Sequence, residues 1–432
     1  MKNYTYKQEL RYINLFWLGF FIYTLSFVQI SGLLNPNYKF FNLLQVLSLS
    51  ILVYSFVRSS SFDFEDIYLK NLFIFYCLWI LIIIIRGISF DYTFLKKMLF
   101  DPYRGILLYL APMVLLVPLK LINLRKIFKI IPFFSLCFVA YIFLFRARLF
   151  NIGSEDARTL LEYLAKTLSL PAGFVLLSYS YHSIKKNILS IIILLLTLFF
   201  AIIQARRGLI FTTALILIFS ISLLLYNNKR NVSSVLLTII FFALAFTFLT
   251  NFIIQDNKFF KFIKERKNED SRGELEVYYY ADMDAKDWII GRGISGLIAA
   301  PLNVDDENPD AIPGYRDGIE SDYLNIILKG GIISLTILLL ITIPAIIKGL
   351  LYSKNTISKA AALWIILWIL DLYPTTVTTF TLNYLLVWIS VSICYSTEIR
   401  YMNDVHIKAY LSMPLKSLIR NSQHETQNAI AR

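Results

Sequence analysis

Apolar residues run through this chain in blocks of about twenty, separated by short polar connections, and the blocks recur almost from end to end. Such a block is as long as the hydrocarbon core of a bilayer is thick, and a helix is the structure that satisfies its backbone there within one segment. The pattern predicts a first helix of about twenty residues from Tyr12, with no small-residue cleavage site after it, so it reads as a retained span. Further spans follow at about 40–57, 71–90, 104–119, 130–146, 165–181, 187–204, 209–226, 232–254, 326–347, 360–377 and 380–396, about twelve in all. The pattern fails once. From Asp270 to Ser334 no apolar run reaches membrane length, which predicts one large loop, about 255–325, before the third-last helix.

The connections orient the spans. Lys120/Arg125/Lys126/Lys129, Lys185/Lys186, Lys229/Arg230 and Lys348/Lys354/Lys359 fall in alternate connections, which the positive-inside rule assigns to the cytoplasm. Both termini are then inside and the large loop outside. With 57% hydrophobic and 16% charged residues and a mean hydropathy of +0.62, the composition excludes a soluble domain. The expected organisation is one polytopic domain over residues 1–397 and a polar cytoplasmic tail over 398–432. Cys77, Cys137 and Cys394 all lie in apolar runs, so they read as small buried hydrophobes and not as a disulfide framework.

This orientation exposes an anomaly. Arg86, Lys96, Lys97, Arg104, Arg146, Arg148, Arg158, Arg206 and Arg207 all land on the outer face, where short loops are normally poor in positive charge. Scattered ones can snorkel to headgroups. Arg206-Arg207-Gly208, in a connection of only a few residues, places two guanidiniums at the membrane boundary. Guanidinium suits a diphosphate, because its planar fork makes two charge-assisted hydrogen bonds to phosphate oxygens and stays charged. A diphosphate at a bilayer surface is the headgroup of a polyprenyl-linked sugar.

The loop carries its own chemistry: Ser271-Arg272, then Trp288-Ile289-Ile290-Gly291-Arg292-Gly293, then Glu320-Ser321-Asp322-Tyr323-Leu324, then Lys329-Gly330-Gly331-Ile332. Tyr279, Tyr280 and Trp288 are flat faces that could stack on sugar rings or pack the loop onto the interface, and Arg292 and Tyr323 are further possible sugar contacts. The acidic cluster Asp305, Asp306, Glu307 and Asp310 lacks the spacing and glycine of a calcium loop, so it reads as a solvated tip and no metal site is expected.

In order, a span ending in Arg-Gly, a large outer loop with Ser-Arg, a Trp-x-x-Gly-x-Gly turn, a polar pair before x-Tyr-Leu, and a later Gly-Ile resemble the O-antigen polymerase and O-antigen ligase superfamily. The motifs span about residues 205–335. The resemblance implies an all-α integral membrane protein of GT-C-like architecture, and a metal-independent glycosyltransferase without cofactor. Its donor and acceptor would be undecaprenyl-diphosphate-linked glycans. Its site would face outward from the bacterial cytoplasmic (inner) membrane, with a flippase and a chain-length regulator as possible partners and no nucleic acid. Two arginines hold the diphosphate in such enzymes, and the matching positions are Arg207, with Arg206 one residue out of register, and Arg272. Ligases carry a histidine where this chain has Glu320. The chain's three histidines, His182, His406 and His424, all fall on predicted cytoplasmic segments.

That departure favours the polymerase branch, with Glu320 as general base if partial burial raises its pKa. The bland reading of Glu320 is a helix-start carboxylate set against the macrodipole. A ligase acting on lipid A-core and a lipid-linked oligosaccharide flippase are the alternatives. A flippase would be expected to show paired halves and broken helices, and no internal repeat is visible.

Overall fold

The computed structural model describes residues 6–28, 38–88, 90–101, 105–117, 121–152, 154–227, 271–300 and 314–413. The predicted span 232–254, the acidic cluster at 305–310, Arg104, His424 and the side chains of Lys96, Lys97 and Arg272 lie outside the described residues.

The described residues are helical almost throughout. In order come α1 (Tyr6–Val28), α2 (Tyr38–Ser59), α3 (Ile67–Gly87), α4 (Tyr92–Phe100), α5 (Ile106–Leu110), α6 (Leu121–Leu144), α7 (Arg146–Leu149), α8 (Glu155–Leu164), α9 (Ala172–Leu177), α10 (Ile184–Ile203) and α11 (Arg207–Asn227). After the next described boundary come α12 (Ser271–Asp282), α13 (Ala285–Ile290) and the strands β1 (Ile298–Ala299) and β2 (Tyr315–Arg316). The chain then returns through α14 (Asp322–Leu351), α15 (Thr356–Asp371) and α16 (Leu382–Tyr395) to the short helices α17 (Thr397–Tyr401) and α18 (Asp404–Ser412).

Among the described residues, seven helices are long and apolar enough to cross a membrane: α1, α2, α3, α6, α10, α11 and α14. Four other predicted spans take different forms. The stretch 104–119 becomes α5 followed by a 3-10 turn, Ala111–Leu116, with Pro112 near its start. The stretch 165–181 is a π turn, Ala165–Ser169, then the short α9. The stretch 360–377 is the second half of α15 and a polar turn, and 380–396 is the 14-residue α16. The physical reason is position. No residue of α16 is exposed, and Trp364, Tyr384 and Trp388 are fully buried, Trp364 against Phe174 of α9 and Trp388 against Tyr76 of α3. A backbone enclosed by protein need not be one full-length helix, because neighbouring segments satisfy it. Helices at the periphery instead present Leu47, Val53, Leu78, Leu81 and Ile85 outward, as lipid-facing surfaces do.

Two ends of the bundle are distinct. At one, Asp66 caps α3 by accepting from the amides of Tyr68 (2.9 Å) and Leu69 (3.2 Å) and pairs with Lys348 near the end of α14. Described residues of three basic connections lie at this end. Arg125 donates to the carbonyl of Met413 after α18, Lys186 to that of Phe128 (3.5 Å), and the Lys354 amide to that of Arg400 (2.8 Å). Arg86, the α10–α11 bend, the polar turn after α15 and the loop elements occupy the other end.

Candidate functional site

Where loop and bundle meet lies a cavity of about 270 Å³, lined by residues of α3, α5, α8 and its π turn, the segment from Arg316 to Glu320, the start of α14 and the turn after α15. Glu320 is on its wall. The partial burial expected of this carboxylate is not found, since Glu320 is exposed. The buried member of the polar pair is Asp322, 2% exposed, whose Oδ2 accepts from the amides of Val377 (3.0 Å) and Thr378 (2.6 Å).

The segment carrying Glu320 is held from both sides. The Ala300 amide donates to the Gly314 carbonyl (2.8 Å), and β2 pairs antiparallel with β1, Arg316 opposite Ile298. Lys329 binds Asp317 (2.6 Å) and the carbonyl of Gly296 (2.7 Å). Asn325 clamps Ile319 twice, accepting from its amide (2.8 Å) and donating to its carbonyl (2.6 Å). Ser321 donates to the carbonyl of Tyr373 (3.2 Å), and the Asp322 amide to that of Leu372 (2.8 Å). These contacts fix where the backbone of Glu320 stands on the cavity wall.

The Arg206-Arg207 bend is tied to the wall of the same cavity through Glu162. Helix α10 ends in a left-handed cap: the Arg206 amide donates to Ala201 (2.9 Å), the Ala205 amide to Ile202 (3.0 Å), and Ala205 takes φ 48°. This is the hydrogen-bond pattern that glycine usually serves. It turns the chain sharply enough for Gly208 to pack on Pro374 and Thr375, and for Thr212 to donate to Asp371 (3.0 Å). Arg206 contacts Glu155 and Glu162, each at 3.3 Å, and the carbonyl of Arg158 at 3.2 Å. Glu162 also holds Lys166, and both line the cavity. Arg207 begins α11 and is exposed beside this network. The predicted outer arginines Arg86, Arg158 and Arg206 are thus engaged by protein groups, Arg86 through the carbonyls of Ile290 (2.6 Å) and Gly291 (2.7 Å).

The two glycine motifs of the sequence meet. Helix α14 is broken at Gly331 (φ 68°, ψ −179°), and the carbonyls freed there find new donors. The amide of Arg292 donates to Leu328 (2.7 Å), that of Gly293 to Lys329 (2.9 Å), and Trp79 Nε1 to Gly330 (3.0 Å). Glycine is required at this contact: a Cβ on Gly331 would collide with the Ile289 carbonyl, and Gly291, also at φ 68°, lies against the Lys329-Gly330-Gly331 backbone.

Residues read as possible sugar contacts divide in two. Tyr279 is fully buried and donates to the carbonyl of Leu324 (3.1 Å). Arg292 binds Asp282, Asp287 (2.7 Å) and the carbonyl of Leu297 (2.7 Å). Burial alone would lower its pKa, but the hydrogen bonds and charges of the two aspartates outweigh this and raise it. Both residues hold the loop together. Tyr280 is exposed and stacks on Trp288 (5.8 Å, 10°), and Tyr323 stacks on Tyr373 (6.1 Å, 19°). Arg272 falls in the first turn of α12.

Residues 191–339 match the family model described as O-Antigen ligase. This match supports the O-antigen polymerase and ligase superfamily for the chain. No curated protein and no solved structure matches it. Members of this family are membrane glycosyltransferase- or ligase-type enzymes, and the family implies lipid-linked glycan substrates in a membrane context.

The matched segment holds the bend, the Gly-x-Gly turn, Glu320 and the break in α14, but Lys166 and Glu162 lie before it. Sequence reasoning missed Lys166, Arg316, Lys329 and the buried Asp322 and Asp371 as members or supports of the cavity. Lys166 carried a signal, being an ionisable residue inside an apolar run, where such groups mark functional interiors. In a membrane glycosyltransferase this arrangement can offer a carboxylate to a hydroxyl and guanidiniums to a leaving phosphate. No histidine lines the cavity among the described residues. His182 packs on Phe128 (4.4 Å) at the far end of α10. Nor do the described residues hold three or more His, Cys, Asp or Glu side chains grouped to take a metal ion.

Proposed function

We propose that the protein polymerises undecaprenyl-diphosphate-linked oligosaccharide repeat units on the extracytoplasmic face of the bacterial cytoplasmic membrane, with both termini inside. The observation that carries this reading is the shared cavity wall: Glu320 lines it, and Arg206 is tied to it through Glu162. Glu320 takes the proton from a hydroxyl of the acceptor's terminal sugar. The oxygen attacks the anomeric carbon of the donor, the bond from that carbon to the diphosphate oxygen breaks, and the electron pair leaves with the diphosphate. Arg207 and Arg272, supported by Arg206, stabilise the charge building there. Tyr280, Trp288 and Tyr323 are the aromatic faces for sugar rings. A single displacement inverts the anomeric carbon, with no metal or cofactor. The lipid carriers confine both substrates to the membrane plane, which contributes orientation. A flippase supplying repeat units and a chain-length regulator are the partners this reading calls for.

A ligase is the second reading, favoured by the description of the matched family. Against it stands Glu320 where the superfamily's ligases carry histidine. The deciding experiment gives purified protein one lipid-linked repeat unit in vesicles that also contain lipid A-core. A ladder of longer glycans supports polymerisation. Transfer to lipid A-core without a ladder overturns it in favour of ligation, and glycan moved unchanged between leaflets overturns it in favour of flipping.

A further inference from the structure

The charges on the cavity wall can be accounted for one at a time. Lys166 is held by Glu162, and Lys329 by Asp317 and the Gly296 carbonyl. Asp322 is directed to the amides of Val377 and Thr378. Among the described residues no carboxylate pairs with Arg316, the remaining cation of the wall. Its backbone is fixed by β1, and the next residue is fixed by Lys329, so the guanidinium projects from a rigid strand. It stands four residues before Glu320 on the same clamped segment.

We propose that Arg316 is an anion-binding residue that holds the substrate's diphosphate beside the general base. This rests on the reading of the cavity as the glycosyl-transfer site. A guanidinium without a carboxylate partner on a partly enclosed wall gains most from an anion that can accept two of its N–H groups, and a phosphate matches that fork. The acceptor's own diphosphate lies at the far end of its repeat unit from the attacked hydroxyl. The diphosphate that comes near the base is therefore the donor's. Arg316 keeps the anomeric carbon within reach of the oxygen that Glu320 activates and takes up charge as the bond breaks.

The test titrates geranylgeranyl diphosphate into wild type, Arg316→Gln and Arg316→Lys in detergent, and measures polymerisation of a lipid-linked repeat unit in parallel. Arg316→Gln should bind the diphosphate lipid about tenfold more weakly or worse, and Arg316→Lys should recover part of the loss, since charge remains but the fork does not. Geranylgeraniol, lacking the diphosphate, should not distinguish the variants. Because β2 pairs through its backbone, all three proteins should elute and melt alike, which separates a lost contact from a lost fold. Wild-type affinity in Arg316→Gln overturns the assignment. A variant with unchanged diphosphate binding but a raised KM for an acidic acceptor glycan also overturns it, in favour of a carboxylate on the acceptor sugar. If wild type itself neither binds the diphosphate lipid nor elongates the repeat unit, the glycosyl-transfer reading has failed and takes Arg316 with it.

Discussion

Arg206 lies 3.3 Å from a carboxylate oxygen of Glu162, and that carboxylate also holds the Lys166 ammonium. The α10–α11 bend and the cavity wall are therefore one ionic chain. Two adjacent arginines acquire different roles from it. Arg206→Gln should lower thermal stability in detergent by on the order of 1 kcal/mol, the share of the half-exposed Glu155 being screened by solvent. Arg207→Lys should leave the melt unchanged but sharply reduce polymerisation, through loss of the bidentate fork. Equal melts for both variants would remove the positioning role from Arg206.

Glu320→Gln should cut turnover by roughly a hundredfold or more, while binding of the lipid-linked donor is nearly unchanged. Glu320→Asp should recover a little activity, because the base remains but is set back by one methylene. A helix-start carboxylate is worth under about 2 kcal/mol and would affect only the yield of folded protein. Polymer length per folded enzyme decides, and full specific activity in the Gln variant removes Glu320 from the mechanism.

Gly331→Ala forces a side chain into positive φ, at about 1–2 kcal/mol, and into the Ile289 carbonyl as well. The loop should undock from α14. Limited proteolysis within α13 should then accelerate with the membrane helices intact, whereas an unchanged digestion pattern would mean that the loop is held by other contacts.

Ala205→Gly should have the opposite sign. Ala205 occupies a left-handed cap that glycine adopts freely, so relief of about 1 kcal/mol is expected in a detergent melt. No gain, or a loss, would show that the bend's geometry is not strained as the φ angle indicates.

At the opposite end, Asp66 gives a pH signature. Burial pushes its pKa up, but the hydrogen bond from Lys348, the amides of Leu69 and Tyr68 and the Lys348 charge outweigh it, so the folded pKa is lowered. A depressed carboxylate contributes stability that is present above its unfolded pKa of about 3.9 and is lost as pH falls through the folded value. Asp66→Asn should therefore lower the melt at neutral pH and converge with wild type under acid conditions below that range. A gap that persists undiminished in acid would assign the effect to packing.

The sequence was most readable where chemistry is local. The Gly-x-Gly turn and the Arg-Gly bend each carry a backbone requirement that shows in a few consecutive residues. Apolar blocks showed the membrane but not which helices cross it. Leu382–Tyr395, enclosed by protein, is more apolar than Tyr38–Ser59, whose outward face is exposed, yet both read as spans, because hydropathy does not record who the neighbours are. Asp322 was hidden because its meaning depends on Val377 and Thr378, far away in the chain, and Lys166 showed in the sequence only as an ionisable residue in an apolar run, not as a partner of Arg206 through Glu162. Tyr279 was ambiguous for the same reason, its hydroxyl being committed to Leu324.

The loop's turn is closed by carbonyls of α14, and the start of α14 is held by the turn after α15. During synthesis on the ribosome, Arg292 and Gly293 enter the membrane environment before Leu328 and Lys329 exist, and Asp322 waits for Val377 and Thr378. Every proposed catalytic and diphosphate-binding side chain has thus been made by residue 320, yet the chamber around them closes only when the chain has passed 378. A nascent chain stalled inside α14 would carry the reactive groups without a reaction site.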